Sequence, residues 1–164
     1  MKKTCILYGS STGNTESIAN ILADKLGADK FDVSTAPIDA IKSCDNIIMG
    51  ASTWGIGDLQ DDWETFLPMI SDLDLSGKTI AFYGLGDSSS YPDSFVDAMG
   101  IIFNAIKDKG CKFVGAVGSD GYTFDESQAI IDGKFIGLPL DEDNESSLTK
   151  SRINAWIEEI KPHF

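Results

Sequence analysis

The chain has 164 residues, 42% of them hydrophobic, enough for one domain with a sizeable core and too apolar for a disordered chain. Twenty-six acidic residues oppose thirteen basic ones, a formal charge of -13 that repels nucleic acid and anionic membrane surfaces. No run approaches the roughly 18 apolar residues of a membrane span, and the apolar part of MKKTCILYG is too short for a signal peptide, so a cytoplasmic protein is expected.

In chain order, CILYG predicts a first strand, and Asn14 to Leu26 a helix with apolar residues at Ile18, Ile21, Leu22 and Leu26. FDVSTA predicts a short strand, and Pro37 to Lys42 a poor helix. NIIMGAS and TIAFYG are nearly continuous apolar runs, the pattern of strands covered on both faces. Between them, Trp63 to Ile70 predicts a helix in spite of Pro68. Phe95 to Ile106 follows as a helix, CKFVGAVG as a fifth strand and Leu148 to Ile160 as a last amphipathic helix. This βα alternation predicts an α/β fold, a doubly wound five-stranded parallel sheet with helices on both faces and right-handed crossovers. No linker divides the chain, so residues 1–164 are expected to form a single domain. Such sheets bind ligands beyond the carboxyl ends of their strands, where Gly9 to Thr15, Ser52 to Leu59 and Gly84 to Tyr91 are expected to gather.

Residues 119–134, SDGYTFDESQAIIDGK, interrupt the alternation as a surface excursion, and Phe135 to Leu140 return to the sheet. Composition leaves this excursion either inert or a contributor to binding. Cys5, Cys44 and Cys111 are odd in number and form no CxxC pair, which predicts buried thiols rather than a disulfide framework, zinc or an iron–sulfur site. The single histidine, His163, stands beside the last residue, and no Cys/His pair or sorted pair of acids suggests hydrolysis. No catalytic residue and no metal are expected.

The first loop, SSTGNT, joins a strand to a helix and contains no lysine or arginine. At such a junction successive backbone N–H groups form a nest, and the helix adds unpaired donors and a favourable dipole. Hydroxyls of Ser10, Ser11, Thr12 and Thr15 can join them, and Gly13 allows close approach. A phosphate could be held there without a cation. The spacing matches neither a Walker A loop nor a GxGxxG fingerprint, and an ordinary Ser/Thr helix cap is the competing reading. Two aromatic residues, Trp54 in STWGIGDLQ and Tyr91 in YGLGDSSSYPDSF, follow the next two buried strands. Together they suggest a planar ligand between rings, where stacking contributes about 1–3 kcal/mol per base in nucleic-acid sites.

On ILYGSSTGNTE, STWGIGDL and FYGLGDSSSYPDSF the chain resembles the flavodoxins, small FMN-binding electron carriers, and the likeness extends over essentially its full length. The excursion resembles the insertion that splits the last strand of long-chain members, and GLPLDEDNES with RINAWIEEI resembles their carboxyl end. The resemblance implies strand order 2-1-3-4-5 with the fifth strand interrupted. It implies that Ser10, Ser11, Thr12, Gly13, Asn14 and Thr15 hold the FMN phosphate. Ser52, Thr53, Trp54, Gly55, Ile56 and Gly57 would flank one face of the flavin. Gly84, Leu85, Gly86, Asp87, Tyr91 and Phe95 belong to the third segment, with Tyr91 stacked on the other face and Asp87 in the loop around the pyrimidine edge. The family usually has glycine before that tyrosine; here it is Ser90.

By the same resemblance the protein is a low-potential one-electron carrier on non-covalent FMN, cycling mainly between semiquinone and hydroquinone. The cofactor carries the chemistry and the protein tunes it. A shift of about 60 mV in a one-electron potential corresponds to roughly 1.4 kcal/mol of differential binding. From Ser43 to Ile106 there are ten acidic residues and one basic residue, Lys78. Such charge opposes an anionic reduced flavin and offers a docking face to basic partners. Expected partners are an NAD(P)H-dependent reductase or other donor and an acceptor enzyme, met transiently by a monomer. An FMN-dependent NAD(P)H:quinone oxidoreductase is the alternative, and a non-redox nucleotide-binding or phosphoacceptor domain the third.

Overall fold

The computed structural model describes residues 2–164; Met1 of the opening segment lies outside them. Three long parallel strands make the middle of the sheet: β1 (Thr4–Tyr8), β3 (Asn46–Trp54) and β5 (Thr79–Leu85). Outside β1 lies β2 (Asp29–Asp32). Outside β5, β6 (Lys112–Phe113) pairs with its start and β10 (Leu138–Leu140) with its end, so the fifth strand of the 2-1-3-4-5 order is split in two. A two-residue β4 (Asp58–Leu59) turns back on the end of β3.

Strand periodicity sends alternate residues to opposite faces. Leu7, Met49 and Phe82 lie in one core, beneath α3 (Asp61–Ser71) and α4 (Asp97–Ile106), with Ile41 of the short α2 (Ile38–Lys42). Ile6, Ile48 and Ala81 lie in the other, beneath α1 (Asn14–Leu26) and α5 (Thr149–Ile160), which contributes Trp156 and Ile157. Both faces are covered, the reason the central strands carry so few polar residues. Pro68 stays inside α3, although a proline lacks the N–H that would bond one turn back.

Three expectations need correction. CKFVGAVG is not one strand: only Lys112 and Phe113 pair with β5, and the chain leaves the sheet through Gly115, φ +84. A Cβ on Gly115 would stand 2.7 Å from Trp156 Nε1, which donates to the Gly115 carbonyl at 2.9 Å, so α5 packs directly on the backbone where the strand breaks off. The excursion is also more than a surface loop. β7 (Val117–Gly118), β8 (Ile130–Ile131) and β9 (Lys134–Phe135) form their own antiparallel sheet, and Phe95, Tyr122, Phe124 and Phe135 pack ring against ring beneath it. Last, Cys5 and Cys44 are joined as a disulfide, their Cα atoms 6.0 Å apart, while Cys111 is free. Spacing hid this pair because Cys44 meets β1 only once Cys5 is in register with Ile47.

Gly50 lies directly beside Tyr83, its partner in the β3–β5 register. A Cβ at Gly50 would lie 2.0 Å from Tyr83 Cζ. The ring crosses the neighbouring strand, and its buried hydroxyl donates to the Thr15 carbonyl at 3.0 Å. Gly50→Ala is therefore expected to destabilise the apoprotein by about 1–3 kcal/mol, the usual cost of overpacking. Urea unfolding measures it, and unchanged stability would show that the ring can move aside freely.

Candidate functional site

β1, β3, β5 and β10 all end on the same edge, and the loops beyond them converge there. The first loop enters α1 through Gly13, φ +95, and no side chain caps that helix. The Ser/Thr run is thus not an ordinary cap. Ser10 Oγ accepts the Gly13 N–H at 3.0 Å and curls the loop. Among the described residues nothing accepts the backbone N–H of Ser11 or Thr12. The first-turn N–H groups of α1 have no carbonyl four residues back within the helix. Free donors at a helix N-terminus are what an anion needs.

Gln60, unmarked by the sequence reading, fixes this loop from below. It is 1% exposed. Its Oε1 caps α3 by accepting the Trp63 N–H at 3.2 Å, and its Nε2 donates to Ser11 Oγ at 3.1 Å. A Cβ on Gly9 would stand 2.2 Å from that Oε1, so Gly9 lets loop and cap meet. The contact with Ser11 is purely tertiary, joining residues 49 apart in the chain.

A cleft of 370 Å³ lies above this loop. Thr12, Asn14 and Thr15 line it from the first loop, Ser52, Thr53, Trp54 and Gly55 from the second, and Leu85, Gly86, Asp87 and Tyr91 from the third. Trp54 and Tyr91 are each 40% exposed, unusual for large aromatic rings that have a core beside them. Trp54 Nε1 donates to Ser52 Oγ at 2.9 Å, which orients the indole. Gly55 and Gly57 are left-handed, φ +52 and +105, so this turn is built on glycine. Ser90 is not left-handed; its N–H donates to Asp87 Oδ1 at 2.9 Å, and the loop closes without the usual glycine.

Other predicted residues stand outside the cleft lining. Ser10, Ser11 and Gly13 shape the first loop, Ile56 is 87% exposed at the tip of the second, and Gly84 packs under Met99. Phe95 needs correction as a cofactor contact: it is 1% exposed and belongs to the aromatic core of the excursion. Its place after Tyr91 in the sequence gave no sign that the chain turns inward there.

Glu142 and Asp143, which the sequence reading left out, complete the cleft. They follow β10 beside Asp141, a fully buried carboxylate that accepts from the Ser88 backbone and hydroxyl and from Asn144. Asp87, Asp141 and Asp143 bring oxygens within 4.8 Å of one another. That spacing would suit a cation, but amide and hydroxyl donors already occupy Asp87 and Asp141. The Ser90 N–H first, then Asn144 and Ser89, hold Asp87 below the usual carboxylate range. Partial burial first, then Asp87, Asp141 and Glu142, push Asp143 above it.

These shifts carry opposite signs in stability. Asp87 contributes stability above the ordinary carboxylate pKa, lost as pH falls through its lowered folded value. The raised Asp143 is the reverse: stability falls as pH climbs from the ordinary pKa through its folded value. Asp143→Asn is expected to stabilise the apoprotein at neutral pH, and Asp87→Asn to flatten the acid limb. Urea unfolding between about pH 3 and pH 7 measures both; equal pH profiles in all three proteins would show that the cluster is electrostatically silent.

A family model described as Flavodoxin matches residues 6–156. The chain is 44% identical over 166 residues to a flavodoxin of Synechocystis sp., covering 99% of this chain and 98% of that one. It is 41% identical over 165 residues to a Helicobacter pylori flavodoxin, covering 100% and 99%. The crystal structure of Fusobacterium nucleatum flavodoxin bound to flavin mononucleotide superimposes with a TM-score of 0.94 at 33% identity, covering 100% of this chain and 99% of that one. Fold and sequence agree over nearly the whole length: the chain belongs to the flavodoxin family.

Proposed function

We infer that this protein is a low-potential one-electron carrier on non-covalently bound FMN, and not itself an enzyme. The observation that carries the reading is a cation-free loop of unpaired N–H donors opening into a cleft flanked by two exposed aromatic rings. The donor set fits the group: hydroxyls and amides for a phosphate, apolar ring faces for a planar heterocycle, and amides around its polar edge. When bound, FMN takes up and releases electrons one at a time.

The chain's own residues set the terms. Trp54 and Tyr91 would cover the faces of the bound ring and exclude water. Asp87, Glu142 and Asp143 line the cleft with no basic residue among its lining groups, so added negative charge on the ligand is disfavoured. That lowers the potential of the second electron. Gly55, already left-handed, can turn the Gly55–Ile56 peptide toward the ring at small backbone cost. No helix among the described residues is long and apolar enough to cross a membrane.

In this reading the chain works as a single-domain monomer in the cytoplasm and meets an NAD(P)H-dependent reductase and an acceptor enzyme through their basic faces. A groove of 790 Å³ beside Trp54 supports such docking. Leu59, Leu67, Pro68 and Ile101 give it apolar walls, and Asp58, Asp61 and Glu64 stand at its lining.

Anaerobic spectroelectrochemical titration of the FMN-loaded protein is expected to resolve two one-electron steps, the second far below that of free FMN. A single two-electron step would move the protein to the quinone reductases instead. Gly55→Ala is expected to narrow the gap between the two potentials, because a Cβ restricts the backbone freedom that lets the Gly55–Ile56 peptide turn. Electron transfer from a basic reductase is expected to slow as ionic strength rises; rates independent of salt would remove the acidic docking face.

A further inference from the structure

The excursion has a core of its own, and one carboxylate stands between it and the turn after Trp54. Asp97, the first residue of α4, is only 3% exposed. A charged group so deep is costly unless it is bonded, and Asp97 spends its bonds across the chain rather than on its own helix. Oδ1 accepts the backbone N–H of Gln128 at 2.7 Å, and Oδ2 accepts Gln128 Nε2 at 3.2 Å. Gln128 lies in the excursion. On its other side, the same Oδ2 stands 2.9 Å from where a Gly57 Cβ would be. Gly57 is the left-handed residue that closes the turn after Trp54.

Neighbouring contacts follow the same line. Thr53 Oγ1 accepts the Ala98 N–H at 2.9 Å, the Phe95 N–H donates to the Glu126 carbonyl at 3.3 Å, and Ser127 Oγ donates to the Phe95 carbonyl. A Cβ on Gly100 would collide with the Gln128 carbonyl at 2.3 Å, so helix and excursion touch backbone to backbone. Val96, just before Asp97, is left-handed at φ +50. A β-branched residue is held in that conformation only where its surroundings over-determine it. Burial pushes the Asp97 carboxyl up while the two Gln128 bonds pull it down.

We propose that Asp97 is a positioning residue for the flavin site: it clamps the excursion to the Trp54–Gly57 turn, so that the excursion restrains the turn that would flank the cofactor. The excursion is then a brace for the redox site. The part concerning the flavin rests on the function proposed above; the clamp itself does not.

The test separates the two. Amide hydrogen exchange is measured on the apoprotein, and both one-electron potentials on the FMN-loaded protein, for wild type, Asp97→Asn, Gln128→Ala and the control Ile157→Val. Ile157 packs on the opposite face of the sheet. Losing one bond to a charged group is expected to speed exchange roughly tenfold, at residues 55–58 as well as in the excursion, and to narrow the gap between the potentials. Gln128→Ala decides against a bare charge effect, because it leaves the Asp97 charge in place. It also stands in if Asp97→Asn does not fold. The control is expected to lower stability without moving either readout. Faster exchange confined to the excursion, with residues 55–58 unchanged, overturns the clamp. Faster exchange in both segments with unchanged potentials overturns the positioning role. Failure of wild type to bind FMN overturns the flavin reading, while apoprotein exchange still judges the clamp.

Discussion

The tyrosine hydroxyl that reaches from β5 to the first turn of α1 is the contact on which the rest of this structure turns. Tyr83 can cross β3 only because Gly50 offers no side chain there, and its hydroxyl then holds the Thr15 carbonyl. Burial pushes the phenol pKa well up, so the group remains a neutral donor. From this contact the start of α1 is fixed relative to the sheet, and with it the unpaired N–H groups of the first loop. Trp63 reinforces the same point from the other face, its Nε1 donating to the Gly50 carbonyl at 2.7 Å. One missing side chain in the middle strand thus fixes the loop in which we place the anion site.

The electrostatics follow a matching logic. A phosphate held by backbone dipoles needs no cation, so the chain can keep basic side chains away from the cleft. Negative groups can then gather around the same edge without spoiling the grip on the ligand. Asp61, Asp62 and Glu64 also occupy the first turn of α3, where the helix dipole favours them. One distribution of charge can therefore stabilise a helix, depress the second potential and attract basic partners. Asp97, like Asp141, is buried and bonded, and its place between two segments gives it a mechanical role.

Much of this was legible in the sequence. The two buried middle strands and the three loops beyond them appear where periodicity put them, because strands covered on both faces must be apolar throughout, whereas the edge strand β2 covers Asp29–Asp32 and only the first two residues of FDVSTA. Trp54, Tyr91 and the SSTGNT loop were visible as residues out of keeping with their positions. Harder to see were groups whose partners are remote. Gln60 caps one helix and holds a loop 49 residues away, and Glu142 and Asp143 reach the cleft only because the split fifth strand returns beside β5. Phe95 looked like a neighbour of the flavin because it follows Tyr91, and the inward turn before α4 put it into a different core.

By itself, then, the sequence determined the order of elements, the cation-free loop, the aromatic pair and the acidic balance, since these depend on local pattern and composition. Only the tertiary structure decided where the fifth strand breaks off, at Gly115, and joined Cys5 to Cys44 and Asp97 to Gln128. Each of these joins residues far apart in the chain. Their energies come from register and packing between elements, which no local period of 2 or 3.6 residues records.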